Sequence, residues 1–200
     1  MTFDAPPYFF VFDVESVGLH GLGFAVGWVV VDLLGNVHES GLAHAPPHPE
    51  HGTDEGYKWV QDNVPDLSAD DSANIGPLWS MSAAGVRNQF WASWRHAQHH
   101  YSGVVMAADV PWPVEARFLA HCIDDVAKSA DAMRPRQSPY PIIDVASVRL
   151  AVGLDPLQTL PRLPKEEPRH NPLCDARQSA RVLIEALAVG NSRHTEPKNG

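Results

Sequence analysis

The constraint that shapes everything else in this chain is the run Tyr8-Phe9-Phe10-Val11-Phe12 followed at once by Asp13-Val14-Glu15-Ser16-Val17-Gly18-Leu19. Five consecutive aromatic or β-branched residues have the composition of a strand buried on both faces, and such a strand turns polar where it leaves the core. Here the polar residues are two carboxylates. Side chains two apart on a strand point the same way, so Asp13 and Glu15 can hold one cation between them. Gly18 permits a tight turn in which backbone amides approach a ligand. Asp-x-Glu alone is a weak signal, equally at home at a solvated strand end.

The remaining pattern predicts an α/β domain. Gly23 to Asp32 reads as a second strand and Val37 to Leu42 as a third, joined through Leu33-Leu34-Gly35-Asn36, so the sheet begins antiparallel. From about 43 to 74 the chain is rich in Pro, His, Asp and Gly, which predicts a loop-rich insertion. His44, His48 and His51 fall within it, but without the cysteine or carboxylate companions of a zinc site they read as solvated loop residues. Val86, Phe90, Trp91, Trp94 and Ala97 recur at helical spacing between about Ser82 and Tyr101, and the tryptophans read as core. Gly103 to Ala108 reads as a strand ending at Asp109. Val114 to about Ala127 follows as a helix entered through Pro111-Trp112-Pro113. A short strand at Tyr140 to Asp144, a helix from Val145 to Val152 and a last helix from Leu173 to Val189 complete a domain over 1–189, with 190–200 as a mobile tail.

Composition narrows the functions. A chain of 200 residues with 44% hydrophobic content can bury one substantial core. Its net charge of −9 argues against coating duplex nucleic acid through a broad basic face, though divalent metal and a local basic patch can still attract phosphate. Cys122 and Cys174 are too few and too far apart for a disulfide framework or a structural zinc. No apolar run is long enough to span a membrane. Met1-Thr2-Phe3-Asp4 has no secretory pattern, and a cytoplasmic location is expected.

The second half of the chemistry lies in Arg169-His170-Asn171-Pro172-Leu173-Cys174-Asp175-Ala176-Arg177-Gln178-Ser179-Ala180. Pro172 breaks what precedes it, which places Asp175 in the first turn of the last helix and His170 on the entering loop. A histidine on a loop can swing while a helix holds the carboxylate, an arrangement suited to a general base beside a fixed metal ligand. An acid at a helix N-terminus also complements the helix dipole with no further role.

The order of these motifs resembles the DEDD exonuclease superfamily in its histidine-containing (DEDDh) branch, which includes oligoribonuclease, ribonuclease T and the proofreading exonucleases of DNA polymerases. Asp13, Glu15, Ser16 and Gly18 match its opening motif, and His170 with Asp175 match its closing His-x-x-x-x-Asp. The resemblance covers about residues 8–42, 103–125 and 140–190; nothing familiar matches the insertion. It implies a ribonuclease-H-like fold, a central mixed β-sheet flanked by α-helices. It further implies a hydrolase that removes nucleotides from the 3′ end of single-stranded RNA or DNA, RNA or short oligonucleotides being favoured. The activity would use two magnesium or manganese ions per site.

Asp13, Glu15 and Asp175 would be metal ligands, and His170 would take the proton of the attacking water. The third acid is open between Glu115, three residues before Phe118-Leu119, and Asp109 at the strand end. Asp144 is a rival carboxylate whose counterpart in relatives is structural. Ser16, Val17 and Leu19 would meet the terminal nucleotide, and Arg177, flanked by Arg169 and Arg181, could neutralise phosphate. The small relatives are often homodimers. Two other classes compete: a ribonuclease-H-like module that binds nucleic-acid ends or a protein without cutting, and a zinc enzyme built on the insertion histidines.

Overall fold

The computed structural model describes residues 8–68, 77–80, 82–125 and 137–195, with side chains as far as 192. Six strands form one mixed sheet: β1 (Tyr8–Ser16), β2 (Gly23–Asp32), β3 (Val37–His44), β4 (Pro77–Trp79), β5 (Val105–Ala108) and β6 (Ile142–Asp144). Their order across the sheet is β4-β3-β2-β1-β5-β6. The first three strands run antiparallel, as the turn residues between them predict. β5 lies parallel to β1 on the other side, β6 parallel to β5, and β4 parallel to β3. The helices are α1 (Asp54–Asn63), α2 (Ala83–His100), α3 (Val114–Asp124), α4 (Val145–Ala151) and α5 (Pro172–Thr195). Among the described residues none of these is long and apolar enough to cross a membrane.

The alternation of β1 divides the core in two. Phe10, Phe12 and Val14 point to one face and pack with Trp28, Phe90, Trp94 and Phe118 beneath α2 and α3. Phe9 and Val11 point to the other and pack with Val29, Leu173 and Leu183 beneath α5. Asp13 and Glu15 continue this second series, so both carboxylates emerge on the face that α5 covers. Trp91 and Trp94 are buried in the first core, where the helical period puts them.

Four boundaries differ from the sequence pattern. Residues 54–63 of the stretch expected to be loop-rich form α1, started by Thr53, whose hydroxyl accepts the Gly56 N–H at 3.0 Å. The prolines that signalled a loop lie outside this helix, and 69–74 lie outside the described residues. The last helix passes Val189 and runs to Thr195, taking in six residues of the expected tail. Pro77–Trp79 adds an edge strand that three residues are too few to signal. In the expected helix over 114–127, regular structure ends at Asp124, where Asp125 anchors Arg87 of α2 through bonds of 2.7 and 2.8 Å.

Candidate active site

The sheet and α5 bring the two ends of the chain together. In the sheet Asp13 faces Gly27 across the β1–β2 ladder. A Cβ on Gly27 would lie 2.1 Å from the Leu173 amide nitrogen and 2.3 Å from the Pro172 carbonyl carbon. The first turn of α5 therefore rests directly on the strand, a contact only glycine allows. Asn171 caps that turn by accepting the N–H groups of Leu173 (3.0 Å) and Cys174 (3.4 Å). Asp175 is then held over the end of β1.

Glu15, His170 and Asp175 each offer a ligand atom within 4.8 Å of the others. His170 Nδ1 stands 3.6 Å from Glu15 Oε1, and the His170 backbone N–H donates to Asp175 Oδ2 at 3.0 Å. His170 occupies left-handed backbone with φ of 60°, uncommon for a residue other than glycine and of a kind concentrated at functional sites. Its ring packs at 81° against that of Trp59 from α1, at a centroid separation of 4.8 Å.

The acids feel one another strongly. Burial, then the charges of Glu115, Asp175, Glu15 and Asp109, hold the Asp13 carboxyl well above the ordinary range. Burial, followed by Asp175 and Glu115, pushes Glu15 up to about 8. Burial lifts Glu115 to about 7 against the pull of backbone amides at Glu115 and Val14, with Asp109 adding to the rise. Asp175 is raised by burial and drawn back by Arg162. Asp109 is raised by burial and Asp144, and drawn back by Arg149. Both candidates for the third acid thus act on Asp13 through charge, while the ligand atoms that come within 4.8 Å of one another among the described residues are those of Glu15, His170 and Asp175. Glu115 is buried in the first turn of α3, whereas Asp109 is exposed at its rim.

This donor set fits hard divalent cations: it is rich in oxygen, mutually repelling in its ionised form and poor in sulfur or nitrogen. Asp144 is occupied otherwise, capping α4 by accepting the Ala146 N–H at 3.1 Å and bonding the Ser147 hydroxyl.

Beside the acids lies a hollow of about 760 Å³ whose walls include Glu15, Val17, Leu19, Thr53 and Trp59. The Ser16 hydroxyl donates to the Gly18 carbonyl at 2.8 Å and so closes the turn, and Gly18 has φ of 76°. Val17 is buried, and Leu19, 64% exposed, stands at the mouth. Arg177 is not brought here. It donates to the Lys165 carbonyl at 3.4 Å and lines a different hollow with Val29 and Arg181.

Two residues of the site were missed in the sequence. Arg162, nearly buried, donates to Asp175 Oδ1, and Trp59 forms a wall that is absent if 43–74 is read as loop. Thr53 followed by Asp54 and Glu55, a capping residue with acids in the first turn, is the signal that would have found α1.

No family model matches the chain, and no curated protein matches it. Its fold is shared with a solved structure of a moderately thermophilic exonuclease I from Methylocaldum szegediense, with a TM-score of 0.52. The fold is ribonuclease-H-like. The two are 16% identical; the match covers 96% of this chain and 41% of the other, so this chain spans about two fifths of that protein's length.

Proposed function

We propose that the protein is a metal-dependent 3′-to-5′ exonuclease that hydrolyses phosphodiester bonds at the 3′ end of single-stranded nucleic acid, RNA or short oligonucleotides foremost. The observation that carries this reading is the meeting of Glu15, His170 and Asp175 within 4.8 Å, with Asp13 and Glu115 in electrostatic contact. The shared fold with an exonuclease I supports it.

Asp13, Glu15 and Asp175 would hold one magnesium or manganese ion, and Asp13 a second together with substrate phosphate. Glu115, with Asp109 as the alternative, would act largely through water. When bound, such cations supply a nucleophile from water at neutral pH and relieve the charge on the leaving oxygen. His170 accepts the proton of the attacking water, and its loop position lets it move toward that water while α5 keeps Asp175 in place. Trp59 and Leu19 shield the reacting phosphate from one side and offer apolar surface to the terminal base.

A second reading, binding without cleavage, draws on the Arg162 guanidinium, which already sets a positive charge on Asp175. Digestion of 5′-labelled RNA and DNA oligomers with magnesium or manganese separates the two. Stepwise shortening from the 3′ end is expected, and it should disappear in Asp13→Asn. Laddering that persists in that variant removes the assignment, and manganese binding without cleavage favours the second reading.

A further inference from the structure

A second hollow of about 400 Å³ adjoins the acid cluster, and Arg149, Arg162 and Arg169 line it with Asp109, His170 and Asp175. It differs in chemistry from the hollow beside Trp59. Arg149 is buried and spends its donors on neutral acceptors, the Asp155 carbonyl at 2.7 and 3.0 Å and Gln158 Oε1 at 3.2 Å. Arg162 is also nearly buried and holds Asp175 and the Glu166 carbonyl. Arg169 is exposed and precedes His170 in the chain.

Three guanidinium groups face two carboxylates, Asp109 and Asp175, on this wall, which leaves an excess of positive charge in a protein of net charge −9. Arg162 is matched by Asp175 and, at 3.9 Å, by Glu167, and Arg149 draws on Asp109, so the two buried cations offset the nearby acids and Arg169 supplies the excess charge facing the cavity. The two non-glycine residues with left-handed backbone among those described, Val110 (φ 48°) and His170 (φ 60°), both lie on this wall. For a β-branched residue such as Val110 that conformation is an outlier, and such outliers gather where a ligand is gripped.

Glu15 belongs to the wall of the first hollow, His170 and Asp175 to that of the second, and the three offer ligand atoms within 4.8 Å of one another, so the acid cluster lies between the two hollows. A strand cut at that cluster must leave one nucleotide on each side. The geometry points to the arginine-lined hollow as an anion subsite for the backbone phosphate next upstream of the scissile one. Arg169 is its direct donor, and Arg149 and Arg162 offset the Asp109 and Asp175 carboxylates that would otherwise repel a phosphate there. This rests on the exonuclease reading and takes it further, naming the path of the strand that remains.

The test uses a short oligonucleotide with a neutral methylphosphonate at the linkage upstream of the 3′-terminal one, beside the unmodified oligonucleotide. Affinity is read by fluorescence anisotropy in EDTA and in calcium, and KM in magnesium, for the wild type and Arg169→Ala. In the wild type the neutral linkage should weaken binding and raise KM about tenfold, the scale of one charge-assisted hydrogen bond. Arg169→Ala should cost the unmodified strand about the same and leave no further loss for the neutral one, because both changes remove one contact. The slope of log affinity against log salt should flatten by about 0.7.

Losses that multiply, or a neutral linkage that weakens Arg169→Ala as much as the wild type, overturn the subsite. Binding that depends on Arg169 and the upstream charge in a protein that cuts nothing upholds the subsite and removes the nuclease reading. Laddering indifferent to both changes does the reverse.

Discussion

Replacing Gly27 with alanine tests the contact on which the site depends. Gly27 is not in left-handed backbone, so alanine brings no φ strain and only its Cβ counts. That atom would lie 2.1 Å from the Leu173 nitrogen, and the gap must open by about 1.3 Å before ordinary contact at 3.4 Å is reached. The neighbour is helix backbone, which cannot rotate away, so α5 retreats and takes Asp175 with it. Overpacking of this kind costs about 1–3 kcal/mol, offset in part by the ~0.4–1 kcal/mol that alanine gains by restricting the unfolded chain. At roughly 2–4 °C per kcal/mol for a chain of this size, the melting temperature should fall by up to about 10 °C. Manganese affinity and cleavage should fall further than stability does, since a misplacement of about 1 Å at a reacting centre costs on the order of 100-fold. The assays are thermal unfolding by circular dichroism, manganese titration and initial rates on labelled oligomers. A Gly27→Ala protein that melts within about 1 °C of wild type and binds manganese equally well would refute the close approach of α5 to the strand.

Three further outcomes follow from the same geometry. In EDTA the melting temperature should fall as pH rises from about 5 to about 8: Glu15 is lifted from 4.5 to about 8 and Glu115 to about 7, so the folded state binds more protons than the unfolded one across that window. Added manganese should flatten or reverse this slope, and a profile rising through the window in EDTA would contradict it. Arg162→Gln should destabilise the metal-free protein, because Asp175 loses its counter-charge, and should enlarge the gain in melting temperature on adding manganese; an unchanged gain would show that Arg162 does not act on the cluster. Trp59→Ala should raise KM for oligonucleotides about tenfold while Trp59→Phe restores most of it, as a stacking wall requires; equal loss in both would point to the Trp59 and His170 ring contact instead.

What could be read from the sequence was whatever rests on local spacing. The alternation of Phe9 to Glu15 predicts that the two acids share a face, and Pro172 predicts the start of the helix that carries Asp175. The convergence of the two needed the matched order of motifs, since no spacing rule reaches from one end of a chain to the other. Arg162 lay beyond such reasoning: in Leu160-Pro161-Arg162-Leu163-Pro164 nothing separates an arginine that meets a buried carboxylate from one that meets water. Arg177 shows the converse. It sits two residues from Asp175, and on a helix that separation rotates a side chain by about 200°, toward the opposite flank. The acid faces the cluster and the arginine reaches the Lys165 carbonyl. A positive charge for substrate on that turn would have to stand three or four residues from Asp175, at Gln178 or Ser179, both of which line the arginine hollow. Their neutrality leaves the positive charge to Arg149, Arg162 and Arg169, whose chain segments precede the helix, so attraction for phosphate at this site is a tertiary property rather than a feature of the closing motif.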